Sequence, residues 1–309
     1  MRIVLIGASG FFGGFLLRAL TADQHQCVVL TRSADRRSCV GMLPGVQLVE
    51  ADVYDPDGLA EQFAGADAVV SMAGILNGSS DDFQKVHVSV VESIIAACQK
   101  SGVNRVLHLS ALNAGKGSSH YLKSKGQAEA LLRSAEDLNT TIFQPSVIFG
   151  RGDNFFNQFA GMLKMTPALP LACPKARLQP VYAKDVAAVM VASLEDPMTW
   201  GKSYELVGPQ SFTLKELVAW TAKTQGQRRL IIGLPGPLSA MMAMVMNLVP
   251  GAPFSWDNYQ SLQTDNTSSK NDFDYFHIHP KSIELVVPDY LAGSSRQRRL
   301  QALRRQPRR

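Results

Sequence analysis

Cysteine is scarce: the 309 residues hold four, Cys27, Cys39, Cys98 and Cys173, and no two form a C-x-x-C pair. This excludes a disulfide framework and a cysteine zinc cluster, and it fits a reducing compartment with ordinary burial. Charge is scarce as well, at 18% of residues against 46% hydrophobic. A sizeable core is therefore expected, built as one large domain with a smaller appendage. Acid is missing from the last sixteen residues, "SSRQRRLQALRRQPRR", which carry seven arginines; subtracting seven from the formal +5 leaves about −2 for the rest. The basic character belongs to this tail, 294–309, which is expected to be a disordered, solubilising end. Its alternative role is attraction to an anionic membrane surface, with nucleic acid disfavoured.

No apolar run is long enough for a bilayer span, which needs about twenty residues. Residues 231–256 hold no charge, but Pro235, Pro237, Pro250 and Pro253 interrupt them and leave Leu238 to Val249 as a helix. Met241, Met242, Met244 and Met246 occupy several of its faces. The favoured reading encloses this helix in the core; the other sets it against a greasy ligand, lipid or protein partner. The opening "MRIVLIGASG" breaks at glycine too early for a signal-peptide core, so the expected location is cytoplasmic, with a peripheral place at the inner membrane face as the alternative. His277 and His279 lack a third ligand at a recognised spacing, and no metal is expected.

Short β-branched runs ("RIVLI", "CVVLTR", "VQLVEADV", "ADAVVSMAG", "NRVLHLSAL", "TTIFQPSVIFG") alternate with helix-periodic segments such as Val86 to Gln99 and Tyr121 to Glu136. That rhythm specifies an α/β fold, a parallel sheet with helices on both faces. After Gly150 the rhythm changes. Residues 151–293 are expected to return to the sheet and build a smaller substrate-side lobe, and Thr213 with Glu216 reads as a capping box opening one of its helices. Residues 1–150 form the larger unit.

The first strand runs directly into "IGASGFFGGFLL", which spaces Gly7, Gly10 and Gly13 as G-x-x-G-x-x-G, with Ser9, Phe11 and Phe12 between them. Small residues at such a turn let backbone amides approach a pyrophosphate that the following helix N-terminus attracts. This is a dinucleotide-binding signature of the Rossmann, doubly wound type. The second strand ends in Thr31 and Arg32, followed by Arg36 and Arg37, rather than in an acid. A guanidinium suits a 2′-phosphate, so NADP(H) is preferred over NAD(H). Asp52 and Val53 close the third strand at the adenine, and Ala73 and Gly74 of "SMAG" pass close to the cofactor.

With these features in order, and with Tyr121-x-x-x-Lys125 in "YLKSKGQAE", the chain resembles the extended or atypical short-chain dehydrogenase/reductase superfamily, whose epimerase/dehydratase-like members bind NAD(P). It looks most like the branch of the dehydrogenase-like accessory subunit of respiratory complex I and its bacterial relatives. The resemblance rests on "HLSALNAG", "QPSVIFGRGDNFFNQFAGML", "QPVYAKDVA" and "PKSIELVVPDYL". It implies Tyr121 as general acid/base, its phenol lowered toward neutrality by Lys125, which also holds the nicotinamide ribose. It implies Pro145, Ser146 and Val147 as contacts of the nicotinamide. One feature departs from the pattern: the usual serine or threonine falls on Ala111 or Leu112, leaving Ser110, or the Asn113 amide, as the substitute. Three functions stay open: an oxidoreductase acting on a small, lipophilic carbonyl or quinone, a nucleotide-bound structural or assembly protein, and a redox-state sensor.

Overall fold

The structure is a computed structural model and describes residues 1–32, 43–249, 252 and 254–291. Its first half alternates strand and helix: β1 (Arg2–Ile6), α1 (Phe11–Ala22), β2 (Gln26–Thr31), β3 (Val46–Glu50), α2 (Pro56–Phe63), β4 (Ala68–Ser71), α3 (Ser80–Phe83), α4 (Val90–Ser101), β5 (Arg105–Leu109), α5 (His120–Ser134) and β6 (Asn139–Pro145). Short pieces follow: β7 (Ile148–Phe149), α6 (Asn154–Met165), β8 (Ala168–Leu171), β9 (Arg177–Leu178), β10 (Val181–Tyr182) and α7 (Ala183–Ala192). The chain ends with β11 (Lys202–Leu206), β12 (Phe212–Thr213), α8 (Leu214–Thr224), β13 (Leu230–Gly233), α9 (Gly236–Asn247), α10 (Trp256–Ser261) and α11 (Ile283–Leu291).

Seven strands form one parallel sheet in the order β11-β6-β5-β4-β1-β2-β3. Val4, Val69 and Val106 face α2, α4 and α5, while Ile3, Val70 and Leu107 face α1 and α7. Both faces are covered, which is why these strands read as continuous apolar runs rather than as alternation. The segment after residue 150 supplies the seventh strand and α7. A separate cluster, with Phe149, Phe156, Leu217 and Val287 fully buried, forms the lobe. The capping box at the start of α8 is present in both directions, Thr213 Oγ1 accepting from Glu216 N at 3.2 Å and Glu216 Oε2 from Thr213 N at 2.7 Å.

The helix expected over Val86 to Gln99 is present and enters through a π-helical stretch, Gln84–Ser89, in which His87 is buried. Such widened turns recur at functional sites. One expectation needs correction. The methionine-bearing helix α9 is not enclosed: among its residues only Ser239 and Ala243 are buried, while Met241 and Met244 are each 57% exposed. Nothing in the apolarity of a segment says which of its faces the rest of the chain covers. Among the described residues no helix is long and apolar enough to cross a membrane. Arg36, Arg37, Cys39, Pro250, Pro253 and the tail 294–309 lie outside the described residues.

Candidate functional site

The site is built where the strand order reverses, between β1 and β4, at the C-terminal ends of the strands. Gly7 leaves β1 with φ of +85°, and a Cβ there would stand 2.6 Å from the Ala73 nitrogen, so both the backbone sign and the exit of β4 demand glycine. A Cβ on Gly13 would meet the Ala8 carbonyl oxygen at 2.0 Å; here the demand is close packing of helix on turn. Gly10 caps α1 without a side chain, no acid stands in the first turn, Ser9 and Gly10 are exposed, and Phe12 is buried behind the half-buried Phe11. The first amides of α1 thus face the reversal point with no side-chain acceptor of their own at the cap. Arg32 and Asp52 are exposed on the same rim, and both charges act on the Tyr54 phenol, which burial pushes up. Val53 is half-buried against the core. The Asp52 carboxylate accepts from Tyr54 N at 3.0 Å, and Lys85 Nζ lies 4.9 Å from the Tyr54 ring centroid. A glycine turn that a Cβ would fill, open helix amides and a cation at the β2 end together fit a dinucleotide phosphate.

Beside this turn α5 presents Tyr121 and Lys125 on one face. Ser119 caps the helix through Leu122 N at 3.2 Å, and the buried Asp257 of α10 accepts from His120 N at 2.6 Å and Tyr121 N at 3.2 Å. Gly126 lets the loop at Gly115 cross α5 closely, since a Cβ would lie 2.4 Å from the Gly115 Cα. Lys125 is buried and donates to the Leu109 carbonyl at 3.1 Å; burial pushes it down to about 8, with Glu129 opposing. Gly74 gives this ammonium room, for a Cβ there would stand 3.5 Å from both Lys125 Nζ and His87 Nε2. The Tyr121 ring packs edge-on against Phe83 and His87, with centroids 6.2 and 5.6 Å away.

The electrostatics correct one implication of the resemblance. Burial, and then the Asp257 carboxylate, push the Tyr121 phenol up to about 12 rather than down toward neutrality. In this state the phenol keeps its proton at neutral pH. Ser110 donates to Glu129 Oε1 at 2.5 Å, and the same carboxylate takes Gln144 Nε2 at 2.8 Å and Arg133 Nη2 at 2.7 Å. The Ser110 proton is therefore committed two helical turns along α5 from Tyr121, about 12 Å at 1.5 Å per residue. Asn113, at φ of +63°, donates to the Asp265 carbonyl at 2.8 Å. Ala111 and Leu112 are buried. After β6, the Pro145 carbonyl accepts from Leu112 N at 2.9 Å, Ser146 Oγ binds Asn266, and the Val147 carbonyl accepts from Val181 N at 2.9 Å. Of these three residues, Ser146 ties the sheet edge to the C-terminal segment, while Pro145 and Val147 bond to the segments after β5 and at β10.

Residues without a sequence signal complete the site. His87 Nε2 accepts from the Ile75 amide at 3.2 Å, which leaves the proton on Nδ1 to bond Ser124 Oγ at 2.8 Å; Ser124 Oγ donates in turn to the Tyr121 carbonyl at 3.0 Å. A neutral imidazole thus staples the strand after Gly74 to the first turn of α5. Burial, then the Lys125 cation, push His87 down to about 3, and burial holds His108 well below its usual range as well. Because the folded value lies below the unfolded one, the unfolded chain binds more protons between pH about 3 and 6.5. Stability is then fully present above pH 6.5 and falls as the solution is acidified, by about 1.4 kcal/mol per pH unit for each such imidazole. His87→Gln is expected to reduce the slope of urea-unfolding free energy against pH between 4 and 6.5; an unchanged slope would contradict this assignment.

A seven-stranded sheet with a reversal at β1/β4, a glycine turn shaped for a diphosphate and a tyrosine–lysine pair beside it define a dinucleotide-binding protein of the Rossmann class. The sequence pattern of the family described as NAD(P)H-binding matches residues 7–197, and the chain belongs to that family, within the extended short-chain dehydrogenase/reductase superfamily. It is 32% identical over 223 residues to a Dictyostelium discoideum protein named NADH dehydrogenase (ubiquinone) 1 alpha subcomplex subunit 9, mitochondrial, covering 69% of this chain and 61% of that one. The chain therefore spans less than two thirds of that relative's length. It is 27% identical over 237 residues to the ceramide reductase of Caulobacter vibrioides, covering 76% of this chain and 74% of that one. In three dimensions it is similar to a nucleoside-diphosphate-sugar epimerase from Staphylococcus aureus, with a TM-score of 0.73 at 21% identity over 92% of this chain and 98% of that one.

Proposed function

We propose that the protein is an NADP(H)-dependent reductase of a lipophilic carbonyl compound or quinone. The observation that carries this is the Tyr121 phenol, held protonated at the start of α5 one helical turn from the buried Lys125. The nicotinamide cofactor, when bound, supplies a hydride to the carbonyl carbon. Tyr121 gives its hydroxyl proton to the carbonyl oxygen, completing the alcohol, and the phenolate left behind is stabilised by Lys125 before it recovers a proton from solvent. His87 keeps the Gly74–Ile75 backbone in register with α5 during this step. A relative named for reduction of a ceramide, a lipophilic substrate, supports the direction and the substrate class.

Arg32 supports the choice of NADP(H). Losing a charge-assisted bond to a 2′-phosphate costs about 1.5–3 kcal/mol, roughly 10–100-fold in Kd. Arg32→Ala is expected to weaken NADPH by that factor in calorimetric titration and to leave NADH almost unchanged. Equal losses for both nucleotides would remove the preference.

A second reading is a nucleotide-holding structural subunit. It is favoured by the committed hydroxyl of Ser110 and the committed amide of Asn113, which leave the customary carbonyl-orienting position without a hydroxyl, and by the relatives named as subunits of NADH dehydrogenase. Rapid mixing of NADPH-loaded protein with a panel of aldehydes, ketones and quinones decides between the two. Oxidation of NADPH by a panel member supports the reductase; none, with the nucleotide demonstrably bound, supports the structural subunit.

A further inference from the structure

Helix α9 is amphipathic in the wrong sense for a helix that meets only water. The small Ser239 and Ala243 face the protein, whereas Leu238, Met241, Met244, Val245 and Leu248 point outward, spaced i, i+3, i+6, i+7 and i+10 along one side; Leu248 is 82% exposed. The strand that feeds it continues the pattern, with Leu230 and Ile232 outward on β13.

Two stretches of sequence that contribute to this part of the lobe carry charges of one sign. Residues 154–184, which hold α6, β8 and the edge paired with β13, contain Lys164, Lys175, Arg177 and Lys184 and no acid. Residues 217–256, which hold most of α8 with β13 and α9, contain Lys223, Arg228 and Arg229 and no acid. Lys164, Lys223 and Arg228 are exposed. Lys223, Arg228 and Arg229 also line an open groove between α8 and β13, directly before the apolar helix. An outward apolar helix preceded by a cationic groove is the arrangement of a surface that buries side chains at the acyl boundary while its cations meet phosphates.

We propose that α9 and the cationic β8/β13 edge form a docking surface for an anionic lipid bilayer. Two observations favour a bilayer over a protein partner. The outward face of α9 offers only aliphatic and thioether groups, with no tyrosine, tryptophan or arginine of the kind that anchors protein interfaces. Trp256, stacked on Tyr259 with centroids 5.1 Å apart, stands at the start of α10, where an amphipathic ring suits the headgroup level. Stable anchoring takes two signals, and an outward apolar helix with the cationic groove before it supplies both.

The surface also adjoins the site. α10 follows α9, its Asp257 holds the first turn of α5, and Asn258 Nδ2 donates to the Leu76 carbonyl at 3.2 Å, in the loop just past Gly74.

The test is co-sedimentation of the full chain with vesicles of phosphatidylcholine alone and of equimolar phosphatidylcholine and phosphatidylglycerol, with no turnover required. The protein is expected to pellet with the anionic vesicles, less with the neutral ones, and less as salt rises. Combined Met244→Asp, Val245→Asp and Leu248→Asp is expected to lower partitioning by more than about tenfold. Lys223→Glu with Arg228→Glu is expected to lower it several-fold and to flatten the salt dependence. NADPH titration of each variant, expected to match the parent, shows that the fold is intact. Parent protein left in the supernatant, or an aspartate variant that pellets as well as the parent, overturns the proposal whatever the catalytic assay gives.

Discussion

Gly7→Val is expected to abolish nucleotide binding, raising the Kd for NADPH by more than about a hundredfold, and to lower the melting temperature of the free protein. Two separate physical effects act at this position. A β-branched residue at φ of +85° is strained in itself. In addition, its Cβ would lie 2.6–2.8 Å from the Ala73 nitrogen, the Met72 carbonyl carbon and the Ala73 Cα, all backbone atoms of the strand exit that cannot rotate aside. The turn and the β4 exit would have to separate, and the N-terminus of α1 would move away from the phosphates it is placed to hold. Gly14→Ala, one turn into the helix, provides the contrast. Its added Cβ meets only the flexible Arg18 guanidinium at 3.5 Å, and alanine favours helix over glycine by about 1 kcal/mol. Unchanged or slightly raised stability with full NADPH affinity is expected for it. Calorimetry on the pair separates a special turn from a general intolerance of substitution.

If the protein is the reductase proposed above, Tyr121→Phe is expected to reduce the rate of NADPH oxidation by about 10²–10⁴-fold while leaving the Kd for NADPH within a factor of about three. The ring contacts with Phe83 and His87 survive in phenylalanine, so the loss is that of the proton donor alone. Lys125→Met should behave differently. It removes the cation that would steady the phenolate and releases the Leu109 carbonyl, so both turnover and cofactor affinity should fall. The pH profile assigns the groups. Lys125 is pushed down to about 8 and Tyr121 up to about 12, so the alkaline decline of the reductive rate is expected near pH 8 and belongs to the lysine. Lys125→Arg should move that limb upward out of range. His87, held neutral down to pH about 3, contributes no limb between pH 5 and 8. An alkaline limb that stays near 8 in the arginine variant would show that another group controls it.

The sheet was legible in the sequence because its strands are covered on both faces. "RIVLI" and "AVVS" have no polar alternation to blur them, and the glycine array sits where a strand must become a helix. The local devices were legible for the same reason of short range, as with the Thr213 and Glu216 cap, three residues apart. What escaped depends on distance along the chain. His87 reaches Ser124 across 37 positions and Asp257 reaches Tyr121 across 136, so no spacing rule connects them. Burial, with that distant carboxylate adding to it, reverses the shift of the tyrosine from the direction the resemblance implied. Ser110 shows the limit from the other side: its place at the end of β5 suggested a substrate group, but the buried Glu129 on α5 takes its proton. Composition also leaves the setting of a segment open. Residues 238–249 are as apolar as a core helix, and their exposure follows only from what packs beside them.

Isothermal titration of the purified chain with NADPH tests the central claim most directly, since the roles proposed for Tyr121 and Lys125 in reduction presume a dinucleotide lying across the β1/β4 reversal. One site of micromolar or tighter affinity is predicted, removed by Gly7→Val and retained by Tyr121→Phe. No binding of NADPH or NADH at millimolar concentration, with no rise in melting temperature, would contradict the account.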